Sequence, residues 1–156
     1  MSSSTAAIVF MLYSAMNGIT LSYIFLIFTL ESIAVTFFVT AGVFGVMSLY
    51  GYLTKTNSTR WGNLLLMLLL GIVAGSLINF FIKSETIYWI TTYIGIIVFT
   101  VLIAFDTQKI KGMNVIGNEG TDEDKKEAII GALILYLDFI NLFIRLLRLS
   151  GKKRKA

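Results

Sequence analysis

The sequence contains no cysteine, no proline and no histidine. Without cysteine there is no disulfide and no thiol nucleophile. Without histidine the commonest metal ligand and general base is gone, so any response to pH must come from carboxylates. Without proline no helix need be kinked by that route. Charge is scarce as well, at 14% of residues, whereas hydrophobic residues make up 56% and the mean hydropathy is +0.82. Such a balance lies far outside the soluble globular range and describes a membrane protein.

A bilayer crossing takes about 20 residues at 1.5 Å each. Four uncharged stretches reach that length, at about 6–28, 32–53, 62–82 and 87–105, and a fifth at 128–149 is interrupted by Asp138. The expected fold is therefore all-α, a polytopic membrane helical bundle. It forms one domain over 1–156, with a short polar start at 1–5 and a basic tail at 150–156. The opening MSSSTA has no basic region ahead of its apolar run and does not read as a cleavable signal. Only one connection, KIKGMNVIGNEGTDEDKKE, is long enough for a functional loop.

The net charge of +4 is concentrated, because six of the thirteen basic residues lie between Arg145 and Lys155. Beside a membrane such a tail is a topology signal or a contact for anionic head groups. With no aromatic platform beside it, no nucleic-acid partner is expected. If the fifth span crosses fully with its tail on the cytoplasmic side, Lys109 and Lys111 fall outside, against the positive-inside tendency. If it is re-entrant, Lys55, Arg60, Lys109 and Lys111 share the tail's side. Both arrangements stand at this point.

Small and hydroxyl residues recur at helical spacing. Gly71, Gly75 and Asn79 form one face suited to close helix packing, and Ser14, Asn17 and Gly18, then Ser32, Thr36 and Thr40, form faces suited to interhelical hydrogen bonds. The acidic run Asp122, Glu123 and Asp124 lacks the ligand spacing and central glycine of an EF-hand and reads as a solvated charge cluster. Glu31, at a short turn, marks a boundary and secondarily an ion-attracting mouth.

Two carboxylates lie at membrane depth, Asp106 near the end of the fourth span and Asp138 inside the fifth. Such residues cost about 3 kcal/mol and face a bundle interior or a water cavity. Asp138, Asn141, Arg145 and Arg148 fall within an arc of about 80° on a helix and make one polar stripe. If the two aspartates meet in low dielectric, ionising both is unfavourable, and the pair should share a proton and titrate as a unit.

AFDTQKI around Asp106, LYLDFINLFIRLLRL around Asp138, and ESI followed by TAGVFGVMSLYGY resemble the Bax inhibitor family of membrane proteins. The resemblance runs through essentially the whole chain and implies a seven-helix architecture with a central last helix. Relative to that pattern the chain offers five helices, its first matching the family's third, and lacks counterparts of the first two. A basic residue that latches the aspartates in the family has no match here. The resemblance further implies a bacterial-type inner membrane protein with a pH-sensitive calcium leak gated by an aspartate pair, whose positions match Asp106 and Asp138. Transient calcium near those two residues is implied in the same way.

Glu31, Asn141 and Arg145 are candidates to support the ion path or the latch. No cofactor and no catalytic residue is expected. The partners expected are the lipid bilayer and calcium or other cations. Another branch of the family is known for modulating a membrane-bound AAA protease, which gives a non-enzymatic alternative. An intramembrane aspartyl protease is disfavoured, because AFDTQ lacks the glycine-flanked aspartate such enzymes carry.

Overall fold

The computed structural model describes residues 2–54, 59–112 and 120–153. The chain folds as an α-helical bundle in the order α1 Ser3–Leu21, α2 Ile24–Ile27, α3 Leu30–Leu53, α4 Thr59–Ile82, α5 Glu85–Gly112 and α6 Asp122–Ser150. Five segments are long and apolar enough to cross a membrane, the first of them formed by α1 and α2 together. Large apolar side chains such as Phe38, Phe80 and Phe81 point outward, as they do where lipid replaces water.

Local chemistry sets most helix starts. Ser2, Thr29 and Thr121 accept backbone N–H bonds from Thr5, Ser32 and Asp124 as N-caps of α1, α3 and α6, and Ser84 accepts from Ile87 at the start of α5 at 3.4 Å. Glu85 on α5 and Asp122, Glu123 and Asp124 on α6 occupy first turns, where negative charge complements the helix dipole. Lys109 and Lys111 occupy the last turn of α5 and complement its opposite end. Between α4 and α5 the chain reverses at Lys83, whose φ of 56° is left-handed. Asn79 holds this reversal, its carbonyl accepting from Lys83 N–H and its Oδ1 from Ser84 N–H, both at 2.7 Å.

Two spans differ from their sequence-based limits. α5 runs to Gly112 rather than ending near 105, so Asp106 lies inside a helix with more than a turn beyond it. α6 begins at Asp122 rather than 128, carried outward by its Thr121 cap.

The centre of the bundle is shared by the last two helices. α5 packs on α3, α4 and α6, and α6 packs on α1, α3 and α5. One apolar cluster joins Leu65, Ile72, Val98, Phe99, Leu102, Ile103 and Leu142; a second, toward the end of α6, joins Ile24, Phe28, Ile33, Phe143 and Leu147. α3 and α5 approach closely, since a Cβ added at Gly51 would meet the carbonyl of Ala104. The Gly71 and Gly75 face does not make the close crossing expected of it. A Cβ at Gly71 would meet nothing within 4 Å, one at Gly75 would touch only the Thr91 methyl at 3.4 Å, and Asn79 is engaged in the turn.

The hydroxyl residues also behave differently from expectation. Thr40 donates to Thr36 O at 2.7 Å, and Thr92 and Thr107 likewise bond carbonyls one turn back on their own helix. This local route satisfies a hydroxyl in a membrane without a neighbouring helix. Ser32 is different, since its Oγ accepts from Lys152 N–H at 2.8 Å. The Ser14 Oγ is buried without a hydrogen-bond partner.

α6 traverses the bundle from end to end. At one end Ser3 N–H donates to Asp122 Oδ1 at 3.0 Å. At the other, Thr29 N–H donates to Lys152 O at 3.0 Å, and Phe28 pairs with Lys153 in an isolated antiparallel bridge. α6 is one unbroken helix of 29 residues, long and apolar enough to cross a membrane, with no break at which a re-entrant segment would turn back. Lys109 and Lys111 therefore lie at the end opposite Lys152 and Lys153; Lys55 lies outside the described residues.

Candidate functional site

Between α4, α5 and α6 lies a cavity of about 750 Å³. Leu66, Leu69, Ile72 and Val73 of α4 form one wall, Phe99 and Leu102 of α5 the back, and Ile134 and Leu137 of α6 the other wall. Into this apolar enclosure project Asp106 and Lys109 from α5 and Asp138, Asn141 and Arg145 from α6. Asp106 and Asp138 are 9% and 5% exposed, so both carboxyls are withdrawn from solvent.

The Asp106 and Asp138 side chains lie within hydrogen-bonding reach of each other. An ionised carboxylate only accepts, so a direct carboxyl–carboxyl bond requires one of the two to carry a proton. Asp138 Oδ2 has no hydrogen-bond partner. Among the described residues the ion pairs are those of Lys126 with Asp122 and Glu123, at 3.5 and 3.3 Å, and neither membrane aspartate is salt-bridged. Lys109, one turn beyond Asp106, faces the same cavity and acts on it through space.

Arg145 is the other unusual group. Its Nη1 donates to Asn141 O at 3.2 Å and to Asn141 Oδ1 at 3.0 Å, and its guanidinium lies 4.8 Å from the Phe99 ring centre. Its Nε is buried without a partner. Gly95 makes room for this side chain, since a Cβ there would collide with the Arg145 Nε and Cδ. Arg148, one turn on, stacks 5.2 Å from the Tyr88 ring centre.

The structure thus brings together Asp106, Asp138, Asn141 and Arg145 but leaves Glu31 apart. Glu31 sits exposed in the first turn of α3 and does not line the cavity. Among the described residues no group of three or more acidic residues is placed to hold a metal ion. Asp122 and Asp124 instead accept backbone N–H bonds from Ser3 and Gly120.

Two residues of this site escaped sequence reasoning. Lys109 had a signal, because it follows Asp106 by three residues and must share its helix face once the helix continues. Gly95 had none, since the side chain it accommodates is fifty residues away.

A multi-pass helical bundle with facing carboxyls at membrane depth defines the class. The family model described as "Inhibitor of apoptosis-promoting Bax1" matches residues 1–155. The inner membrane protein YbhL of Escherichia coli is 55% identical over 155 residues, which are 99% of this chain and 66% of YbhL. A Rickettsia prowazekii protein is 49% identical over 155 residues (99% of this chain, 65% of that protein), and a Streptococcus pyogenes membrane protein 39% over 144 residues (92% and 62%). The chain belongs to the Bax inhibitor family, and it spans just under two thirds of the length of these relatives.

Proposed function

We propose that this chain forms part of a bacterial inner membrane protein that conducts calcium or another cation in a pH-dependent leak, with Asp106 and Asp138 as the gate. The observation that supports this reading is the meeting of the two carboxyls in a cavity where no cationic side chain pairs with either. While the aspartates share a proton they hold α5 against α6 and the path is shut. As pH rises and the shared proton leaves, two like charges in low dielectric repel, the contact loosens, and carboxylate oxygens suited to a hard cation become available. Asn141 and Arg145 extend the polar wall beyond the gate.

The test is calcium flux into liposomes loaded with a calcium dye. Flux should rise between about pH 6 and pH 8 in the parent protein and lose that dependence in Asp138→Asn, which keeps a hydrogen bond but cannot ionise. Flux that does not change with pH in the parent removes the reading.

The second reading is a non-enzymatic modulator of a membrane-bound AAA protease, contacted through the acidic start of α6 and the basic tail. It is favoured by the placement of Glu123 and Lys153 as exposed charges at opposite ends of the bundle. A protease that co-purifies with the protein, survives mutation of both aspartates and is lost on removing the tail would establish it.

A further inference from the structure

An arginine is protonated in any protein environment, and a buried guanidinium without a counter-anion is costly. Arg145 is 9% exposed and sits in that condition. Its hydrogen bonds run to the neutral Asn141, its Nε has no partner, and no carboxylate lies within 4.0 Å among the described residues. The acidic groups around it are all accounted for. Asp138 lies two turns away on the same helix, about 10 Å along the axis; Asp106, on α5, is in reach of Asp138; Glu31 and Glu85, at the same end of the bundle, are exposed.

Depth separates this cation from the gate. Arg145 lies five residues from the end of α6, about 8 Å along the axis, and Asp138 about 18 Å. With the end of α6 taken as the membrane boundary, a guanidinium at that level sits just under the head-group region, where Lys and Arg side chains extend toward the interface. The surrounding side chains belong to the same layer. Arg148 stacks on Tyr88, Trp89 adjoins Tyr88 and Tyr93 at ring-centre distances of 5.3 and 6.0 Å, and Lys152 and Lys153 follow beyond the helix. Aromatic rings mark a bilayer interface. The cavity that Arg145 shares lies in the gap between α4 and α6; leucine, isoleucine, valine and phenylalanine make most of its wall, and Asp106, Lys109, Asp138 and Asn141 add a polar side.

We infer that this gap is a binding site for one anionic phospholipid. Its phosphodiester pairs with the free edge of the Arg145 guanidinium, Arg148 supplies a second positive charge at head-group level, and an acyl chain lies along the α4 wall formed by Leu69, Ile72 and Val73. The Arg145 Nε is packed against Gly95, so the contact falls to the second Nη, which makes no hydrogen bond within the protein, as a charge-assisted bond of the kind a phosphate accepts. The apolar length of the cleft selects a lipid over a free anion, and the pair of arginines selects a net negative head group over a zwitterionic one. Gly95 keeps the guanidinium at that level, because a side chain there would occupy its place.

The experiment uses the full chain in a mild non-ionic detergent, with phosphatidylglycerol and phosphatidylcholine of identical acyl chains as probes and inorganic phosphate as a third. Bound lipid is read by native mass spectrometry and by the shift in unfolding temperature. Phosphatidylglycerol should be retained at least tenfold more than phosphatidylcholine, and inorganic phosphate should leave the unfolding temperature unchanged. Arg145→Gln should remove the preference, Arg145→Lys should keep part of it, and neutralising Lys152 and Lys153 together should leave it in place. Equal retention of the two lipids by the parent protein overturns the inference. So does a preference that survives Arg145→Gln, one that disappears with the tail lysines, or protection by phosphate alone. Should Arg145→Gln fail to fold, the parent comparison and Arg145→Lys still decide. Lipid retention is read without flux, so its failure leaves the leak reading standing, and the reverse holds too.

Discussion

The same stretch of α6 presents two unlike faces, and the difference between them is the main lesson of the fold. Toward α3 it offers Phe139 and Phe143, whose rings stack at 6.5 Å with an interplanar angle of 11°. Phe37 meets them edge-on at 5.4 and 6.1 Å, and Phe44 meets Phe139 at 5.6 Å. The side chains of that seam are all aromatic hydrocarbon, and Phe143 at its centre is buried. Toward α5 and the cavity beside α4 the helix offers Asp138, Asn141 and Arg145, and two of the buried side-chain atoms lacking a partner, Asp138 Oδ2 and Arg145 Nε, both belong to this wall. One face holds the helix in place, and the other carries polar groups left unsatisfied within the protein. Proteins break the rules of satisfied burial at functional sites and compensate elsewhere, and here the compensation lies a half-turn around the same helix.

The comparison can be broken most strongly from the apolar side. Phe143→Ala should destabilise the protein by about 3 kcal/mol, because a large buried ring is replaced by a cavity in a packed seam. Denaturant unfolding in detergent would measure it, and the pH dependence of calcium flux in the surviving folded fraction should keep its sign. A smaller effect is expected on the polar side from Gly95→Ala, whose added methyl forces the Arg145 side chain out of its groove at a cost of about 2 kcal/mol. Arg145→Ala in the same chain should relieve most of that penalty, and a double-mutant cycle reads the coupling. The smallest effect belongs to Arg148→Gln, which removes a stacking contact with Tyr88 and should cost about 0.5 kcal/mol in lipid-free detergent. A loss as large as that of Phe143→Ala would mean that the polar wall carries the packing too.

Much of the architecture was legible because a bilayer imposes length. An apolar run that must satisfy its own backbone has little choice but a helix of about 20 residues, and five such runs appear. What escaped was where each helix stops beyond the lipid. α5 continues through Thr107, Gln108, Lys109 and Lys111 because polarity ends a membrane span without ending a helix; Lys111 is held there by donating to Tyr52 O at 2.8 Å and Gln108 by donating to Thr54 O at 3.2 Å. The site was legible for the opposite reason. A carboxylate amid leucines is conspicuous, and helical periodicity then ties Asp138 to Asn141 and Arg145. Periodicity could not identify the real close crossing, because Gly51 owes its importance to Ala104 on another helix, whereas the more regular Gly71 and Gly75 face a groove. Glu31 stands exposed at the helix boundary expected of it from the sequence and not on the cavity wall, since charge alone does not reveal whether a side chain turns inward.

α6 is fastened at both ends, by Asp122 to the start of α1 and by Lys152 to the start of α3. A post anchored top and bottom can neither slide nor tip without tearing those moorings. Among the described residues the opposite wall shows no comparable fixings, and α4 rests chiefly on α5. The meeting of Asp106 and Asp138 therefore ties α5, and α4 with it, to a helix pinned at both ends.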